Sequence, residues 1–356
     1  MELRKYYPFL DGLRCFAILW VIAHHINLEF IFTPSAGQIE RSWAFKLAWA
    51  GHYGVDIFFV ISGFLITGLV LSNSHPKIDV KRFYIRRCFK ILPSYYFLLW
   101  FVFLFHLYIL KENPSLLNGF TQTLPNFIFF IQNIVPSRSP TLGHLWSIAV
   151  EEHFYLTYPI FIYLIYLGKN QIVAKRGLLL SLIAVIMICT MMRYVFLPHS
   201  PTQNTFFRVD ALALGCVIRI LEEKIYQIPN PKQLTAFLCL LLSIALWIFL
   251  VSHGLNDAWY YYTCACVASG LLIVSCLLGL DILTRFLELD IFRWVGKISY
   301  NLYLWHYPLI FISYYMFKAI PQMIVPFYMV ATFFMGWIMT KTIEKYFLDL
   351  RNRHYP

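Results

Sequence analysis

Apolar runs long enough to cross a bilayer recur along the chain, separated by short polar connectors, and the first already carries charge. PFLDGLRCFAILWVIAHHINL (residues 8–28) contains Asp11, Arg14, His24 and His25 within 21 residues. At about 1.5 Å per residue it spans roughly 31 Å, the thickness of the hydrocarbon core. Further runs lie near 52–72, 91–110, 145–167, 178–197, 207–221, 235–252, 258–280, 298–317 and 322–343. The pattern predicts an all-α integral membrane protein of about ten transmembrane helices. LPNFIFFIQNIVP at 124–136 is too short to cross unaided, and Pro125 and Pro136 bracket it. It is expected to be a re-entrant or interfacial segment on the extracytoplasmic face.

Composition narrows the class. Of 356 residues 60% are hydrophobic and 13% charged, against about 25% charged in soluble domains. The net charge of +11 would suggest an acidic partner in a soluble protein. Here the cations stand in the connectors: Arg4 and Lys5, Lys77 to Lys90, Lys169 to Arg176, then Lys345, Arg351 and Arg353. Positive residues stay inside, so both termini are expected to be cytoplasmic, and nucleic acid is not an expected partner. The eight cysteines form no CxxC or metal-spaced set and read as buried small hydrophobes, with no metal expected. MELRKYY ahead of an apolar run looks like a signal peptide, but no small-x-small site follows and Arg14 interrupts the run, so an uncleaved first span is expected. No repeat or linker divides residues 1–356, which read as a single membrane domain.

Ionisable groups at membrane depth cost at least about 2.5 kcal/mol each on insertion scales and normally face a protein interior or a wet cavity. Arg14 and His25 are 11 residues apart, which returns His25 to within about 20° of Arg14 and roughly 16 Å further along one helix face. Asp11 shares that stripe, whereas His24 points about 100° away. His144, Glu151 and Glu152 open the 145–167 run, and Arg208 and Asp210 open the next but one, which puts them at the same expected level as His25. A histidine beside carboxylates suits abstraction of a hydroxyl proton near neutral pH. Glu151 or Glu152 can assist it or pair with Arg208 to hold helices together; adjacent residues point about 100° apart, so one of the two is expected to reach the cavity. KRFYIRRCFKILP, read as a cytoplasmic loop, concentrates Lys81, Arg82, Arg86, Arg87 and Lys90, which suits anionic headgroups or a phosphorylated substrate. Asp56 and the small pair Ser62-Gly63 lie in the second run. Tyr303 and His306 share a face of the ninth.

Taken in order, LDGLR with Arg14 and His25, GVDIFFVISGFLIT, RCFK before ILP, HLWSIAVEEHFYLTYP, FRVDALALG and ISYNLYLWHYP resemble the acyltransferase-3 family of integral membrane acyltransferases. The resemblance implies transfer of an acyl group, usually acetyl, from cytoplasmic acetyl-CoA to a hydroxyl of an extracytoplasmic glycan. Lipopolysaccharide O-antigen and exopolysaccharide are the expected acceptors, and the inner (plasma) membrane the expected location. His25 would be the base, assisted by Glu151 or Glu152 and linked to Arg14. Arg14, Arg86, Arg87 and Lys90 would receive the donor phosphates, although Lys90 replaces the second arginine of the family's cytoplasmic motif. Asp11, Asp56, His144, Arg208, Asp210, Tyr303 and His306 would line the substrate path, with acceptor choice left to the connectors 29–50 and 111–144. No counterpart of the SGNH esterase-like domain fused to some relatives is expected. The other class open to buried charges is a secondary transporter, which usually shows internal repeats not seen here.

Overall fold

A computed structural model describes residues 6–27, 42–72, 79–109, 114–135, 139–167, 170–196, 202–229, 231–253 and 258–355. Arg4, Lys5, Lys77 and Lys169, used above for orientation, lie outside them, as do Pro136 and parts of both connectors assigned to acceptor choice. Among the described residues every element is helical. The chain divides into two compact units, Met1–Asp79 with Thr157–Thr202 and Phe206–Lys297, and Val80–Leu156 with Gln203–Thr205 and Ile298–Pro356.

The first unit contains α1 (Pro8–Ile26), α2 (Trp43–Trp49), a 3-10 turn at Ala50–Tyr53, α3 (Gly54–Ser72), α7 (Gln171–Phe196), α8 (Val209–Tyr226), α9 (Lys232–His253), α10 (Trp259–Leu277) and α11 (Asp281–Leu287). Its centre is the contact between α3 and α8. A Cβ on Gly63 would stand 1.9 Å from the Leu212 carbonyl oxygen, and one on Gly215 would stand 2.0 Å from that of Val60. Both backbones therefore touch, as small residues allow between membrane helices. Gly63 of the Ser62-Gly63 pair thus serves packing. α9 is tied to α10 by two hydroxyls, Ser243 donating to the Ala268 carbonyl and Ser275 to that of Ala236, each at 2.8 Å. Leu180, Met187 and Met191 on α7 and Leu238, Leu241 and Ile248 on α9 stay exposed, as side chains facing lipid do.

The second unit is built on α4 (Val80–Ile109), with α5 (Pro114–Ile128), the first part of α6 (Trp146–Tyr166), most of α12 (Asp290–Phe317), α13 (Ile324–Met339), a π-helical turn at Thr340–Glu344 and α14 (Lys345–His354). The basic stretch 81–90 is not a loop. It forms the first three turns of α4, which continues through Pro93 for 30 residues, about 45 Å. Long cationic side chains extend their charge away from an apolar surface while their stems remain on it, so a helix end tolerates them. Pro125 likewise lies inside α5 rather than bounding it. The short apolar run is split after Ile128, where Phe130 takes φ 58°.

Seven helices or continuous helical stretches are long and apolar enough to cross a membrane, namely Pro8–Ile26, Trp43–Leu71, Val80–Ile109, Gln171–Phe196, Lys232–His253, Trp259–Leu277 and Pro321–His354. α6, α8 and α12 also stand where runs were predicted, and they carry charged or hydroxylated side chains along their length. The chain is a multi-pass membrane protein.

Candidate active site

In the first unit α1 is continuous from Pro8 to Ile26, so helical spacing holds and Arg14 and His25 do share a face. Arg14 is 3.7 Å from Asp11, one turn earlier, and its side chain remains 30% exposed. Tyr6 donates to the other oxygen of Asp11 at 2.5 Å. His25 is half-buried, with Nδ1 3.0 Å from the Val21 carbonyl oxygen. A carbonyl only accepts, so Nδ1 holds the proton and Nε2 carries the lone pair of the neutral ring. That is the tautomer a proton acceptor needs.

Where α3, α7, α8 and α10 meet, the unit buries two ion pairs. Arg208 donates to Asp56 at 2.7 Å and stacks its guanidinium 4.3 Å from the Tyr262 ring centre. Arg193 donates to Asp210 and to the Phe207 carbonyl at 2.5 Å each, and to Thr263 at 2.9 Å. Cys266 lies 3.8 Å from Asp56 and 3.9 Å from Asp210, between the two pairs. The partner of Arg208, sought in Glu151 or Glu152, is Asp56, which α3 presses against the start of α8. Each charge is neutralised within one hydrogen bond, the condition under which buried ions are tolerated. Sequence reasoning missed Arg193. The available signal was a lone arginine in the apolar run MICTMMRYVF. It also missed a buried triad, in which Arg219 donates to Tyr7, Tyr7 donates to Glu222, and Arg219 pairs with Glu222 at 2.6 Å.

His24, set aside as pointing away from the stripe, is buried against His52 of the 3-10 turn, with ring centres 5.2 Å apart. The sequence reading did not single out His52.

In the second unit the three candidates for the donor's phosphates, Arg86, Arg87 and Lys90, differ. Arg87 lies 4.4 Å over the Tyr155 ring, and neither it nor Arg86 takes part in a salt bridge among the described residues. Lys90 is paired with the buried Glu344 of the π-helical turn, whose other oxygen accepts from Asn301 at 2.7 Å. π-helical turns recur at functional sites. This one aims a carboxylate across to α4. Lys90 thus serves a helix contact, and of the two motif cations Arg87 is the uncommitted one.

The two glutamates divide. Glu152 lies within electrostatic reach of Arg87 and of Cys88 on α4, so it belongs to the surroundings of the basic turns. Glu151 is within such reach of Tyr303. His144 stands in a 3-10 turn, Gly143–Leu145, that leads into α6, eight residues before Glu152.

His144 belongs to a separate buried cluster. Tyr303 donates to the His144 carbonyl at 2.6 Å and accepts from Ser147 at 2.6 Å. The His144 ring binds the Leu304 carbonyl through Nε2 at 3.1 Å, and His306 binds that of Tyr303 through Nδ1 at 2.6 Å. The two imidazoles are 5.1 Å apart. Tyr303 and His306 do share a face, as their spacing predicted.

These features define a polytopic membrane protein with several ionisable side chains buried among its helices. Residues 7–341 match the family described as Acyltransferase domain, and the chain belongs to this acyltransferase-3 family. It is 28% identical over 372 residues to O-acetyltransferase OatA of Staphylococcus aureus (strain NCTC 8325 / PS 47), covering 96% of this chain and 57% of that protein. It is 28% identical over 337 residues to peptidoglycan O-acetyltransferase OatA of Listeria monocytogenes, covering 86% of this chain and 50% of that protein. The chain thus spans little more than half the length of these relatives. No solved structure matches it.

Proposed function

We propose that the protein is an O-acetyltransferase that moves acetyl from cytoplasmic acetyl-CoA to a hydroxyl of an extracytoplasmic glycan, through about ten crossings with both termini inside. The observation that carries this reading is His25, held by Val21 in the tautomer that leaves Nε2 basic, on the same face of one helix as Arg14. His25 Nε2 takes the acceptor's hydroxyl proton as the oxygen attacks the thioester carbonyl. The C–O bond forms and the C–S bond breaks. The imidazolium then returns the proton to the departing thiolate, so that ester and thiol leave and the base is restored.

Arg87, which enters no salt bridge among the described residues although Glu152 lies within electrostatic reach, is the first candidate for the donor's phosphates, with Arg86 beside it and Arg14 on the histidine's own helix. Asp56 with Arg208 and Asp210 with Arg193 tie α3 and α7 to the start of α8. The acceptor is a surface polysaccharide. The printed name of the Listeria relative adds peptidoglycan to the O-antigen and exopolysaccharide expected from the motifs.

The test is release of CoA thiol by the purified protein in proteoliposomes supplied with acetyl-CoA and with muropeptide, O-antigen or exopolysaccharide in turn. Acetyl appearing on one glycan, and lost in His25→Ala, is the expected result. Solute flux without consumption of acetyl-CoA would overturn the reading. Trapping of an acetyl-histidine after a single turnover would replace direct attack by a covalent route.

A further inference from the structure

The basic turns of α4 face two ways. Arg86 and Arg87 point about 100° apart, and Arg87, 4.4 Å over the Tyr155 ring, is turned to α6. Arg82, Arg86 and Phe89 share another face, because residues spaced i, i+4 and i+7 fall within about 60° of one another. Phe89 identifies what that face meets. Its ring lies 6.4 Å from that of Phe347 and 6.4 Å from that of Tyr355. Those two rings lie four residues to either side of Arg351, so α14 presents Arg351 to the same part of α4. Arg351 and Arg82 are both within electrostatic reach of Arg86.

Like charges gathered in this way repel unless an anion joins them. Neither Arg86 nor Arg351 enters a salt bridge among the described residues. Nε of Arg86 is buried without a hydrogen-bond partner among them. Arg351 donates to the side chain of its neighbour Asn352 at 2.7 and 3.2 Å, which engages two of the five N–H groups of a guanidinium. Asp349, the acid of α14, is exposed and points about 160° away from Arg351. The same face of α4 runs on into Tyr96 and Trp100, roughly 15 and 21 Å past Arg86 along the helix. Both are exposed, as side chains against lipid are.

We propose that Arg86 and Arg351, with Arg82 one turn before, hold the phosphate of an anionic phospholipid whose acyl chains lie along Tyr96 and Trp100. Guanidinium forks from two helices can take the phosphate oxygens from either side, and aromatic side chains beside cations are what the level of the headgroups favours. A soluble phosphate ester would meet the same cations but gain nothing from the apolar stripe that continues from them. Arg86, placed above beside Arg87 as a candidate for the donor's phosphates, is on this reading turned to the lipid, and the lipid phosphate joins α14 to α4.

The experiment titrates the full-length protein in neutral detergent with phosphatidylglycerol, and separately with phosphatidylcholine of the same chains, following the unfolding midpoint by fluorescence-detected size exclusion. Phosphatidylglycerol is expected to raise the midpoint saturably, as a ligand of the folded state does, and phosphatidylcholine to leave it unchanged. Arg351→Gln is expected to weaken half-saturation about 10- to 150-fold, the loss of a hydrogen bond to a charged group. Arg353→Gln removes the same charge from the same helix on a side about 160° away. It is expected to weaken half-saturation no more than about fivefold, the effect of one charge near an anionic surface. Arg351→Lys, which keeps the charge and loses the fork, is expected to fall between the two glutamine variants.

Equal losses in Arg351→Gln and Arg353→Gln would overturn the proposal, since surface charge alone would then account for binding, and so would equal responses to the two lipids. A KM for acetyl-CoA raised in Arg351→Gln, with the phosphatidylglycerol response intact, would give the arginine pair to the donor and overturn it as well. Native mass spectrometry supplies a readout without unfolding: phosphatidylglycerol is expected to stay on the unaltered protein and on Arg353→Gln and to be lost from Arg351→Gln. Neither lipid measurement requires acetyl transfer, so failure of the proposed function would show separately.

Discussion

Replacing Gly215 with alanine tests the central contact most directly. The new Cβ would stand 2.0 Å from the Val60 carbonyl oxygen, whereas ordinary contact begins at 3.4 Å, so α8 and α3 must separate locally by about 1.4 Å. Overpacking of a close-packed interior typically costs about 1–3 kcal/mol. The consequence reaches the site, because Asp56 rides on α3 and Arg208 immediately precedes α8. Their 2.7 Å hydrogen bond lies across the gap being opened and would lengthen beyond the range in which it holds.

Gly215→Ala is therefore expected to lower both the unfolding midpoint and acetyl transfer. Gly63→Ala, 1.9 Å from the Leu212 carbonyl oxygen, should do the same. Gly119→Ala on α5 meets nothing within 4 Å and should be neutral or stabilising by up to about 1 kcal/mol through helix propensity. The measurement is thermal unfolding of detergent-solubilised protein by fluorescence-detected size exclusion, beside the proteoliposome assay. If Gly215→Ala and Gly119→Ala behave alike, the two helices are not in backbone contact and the account of the centre is wrong.

Removing one partner of a buried ion pair strands the other charge, so Arg193→Met is expected to cost about 3–5 kcal/mol. Most of that should return in Arg193→Met with Asp210→Leu, and a double-mutant cycle in the same unfolding assay that showed simple additivity would contradict the pairing. Tyr303→Phe removes the hydroxyl between Ser147 and the His144 carbonyl, and should cost about 1–3 kcal/mol through the buried groups left unpaired; unfolding at the wild-type midpoint would refute that arrangement. For the donor, Arg87→Ala should raise KM for acetyl-CoA about 10- to 150-fold, since hydrogen bonds to charged groups contribute about 1.5–3 kcal/mol. Lys90→Ala, whose charge Glu344 already neutralises, should chiefly lower stability, and initial-rate measurements showing the reverse order would remove Arg87 from its role.

The amino-acid sequence on its own located the long apolar helices but not the short α2, α11 and α14, because a segment that must hide its backbone in lipid has to be apolar for about twenty residues, and that constraint is local. It also put Arg14 and His25 on one face, since eleven residues of helix leave no other arrangement, and its ordered motifs carried the family. It misjudged residues 81–90, where cations that favour a membrane surface look the same in a loop and in the first turns of a helix.

Partnership was decided only by the tertiary structure. Asp56 meets Arg208 across 152 positions, Glu344 meets Lys90 across 254, and His52 meets His24 through a turn that can lie against α1 only because Gly51 has no side chain. Periodicity states which side of a helix a charge occupies. Which other helix that side faces depends on how backbones pack, and the contacts that set it come from residues far apart in the chain.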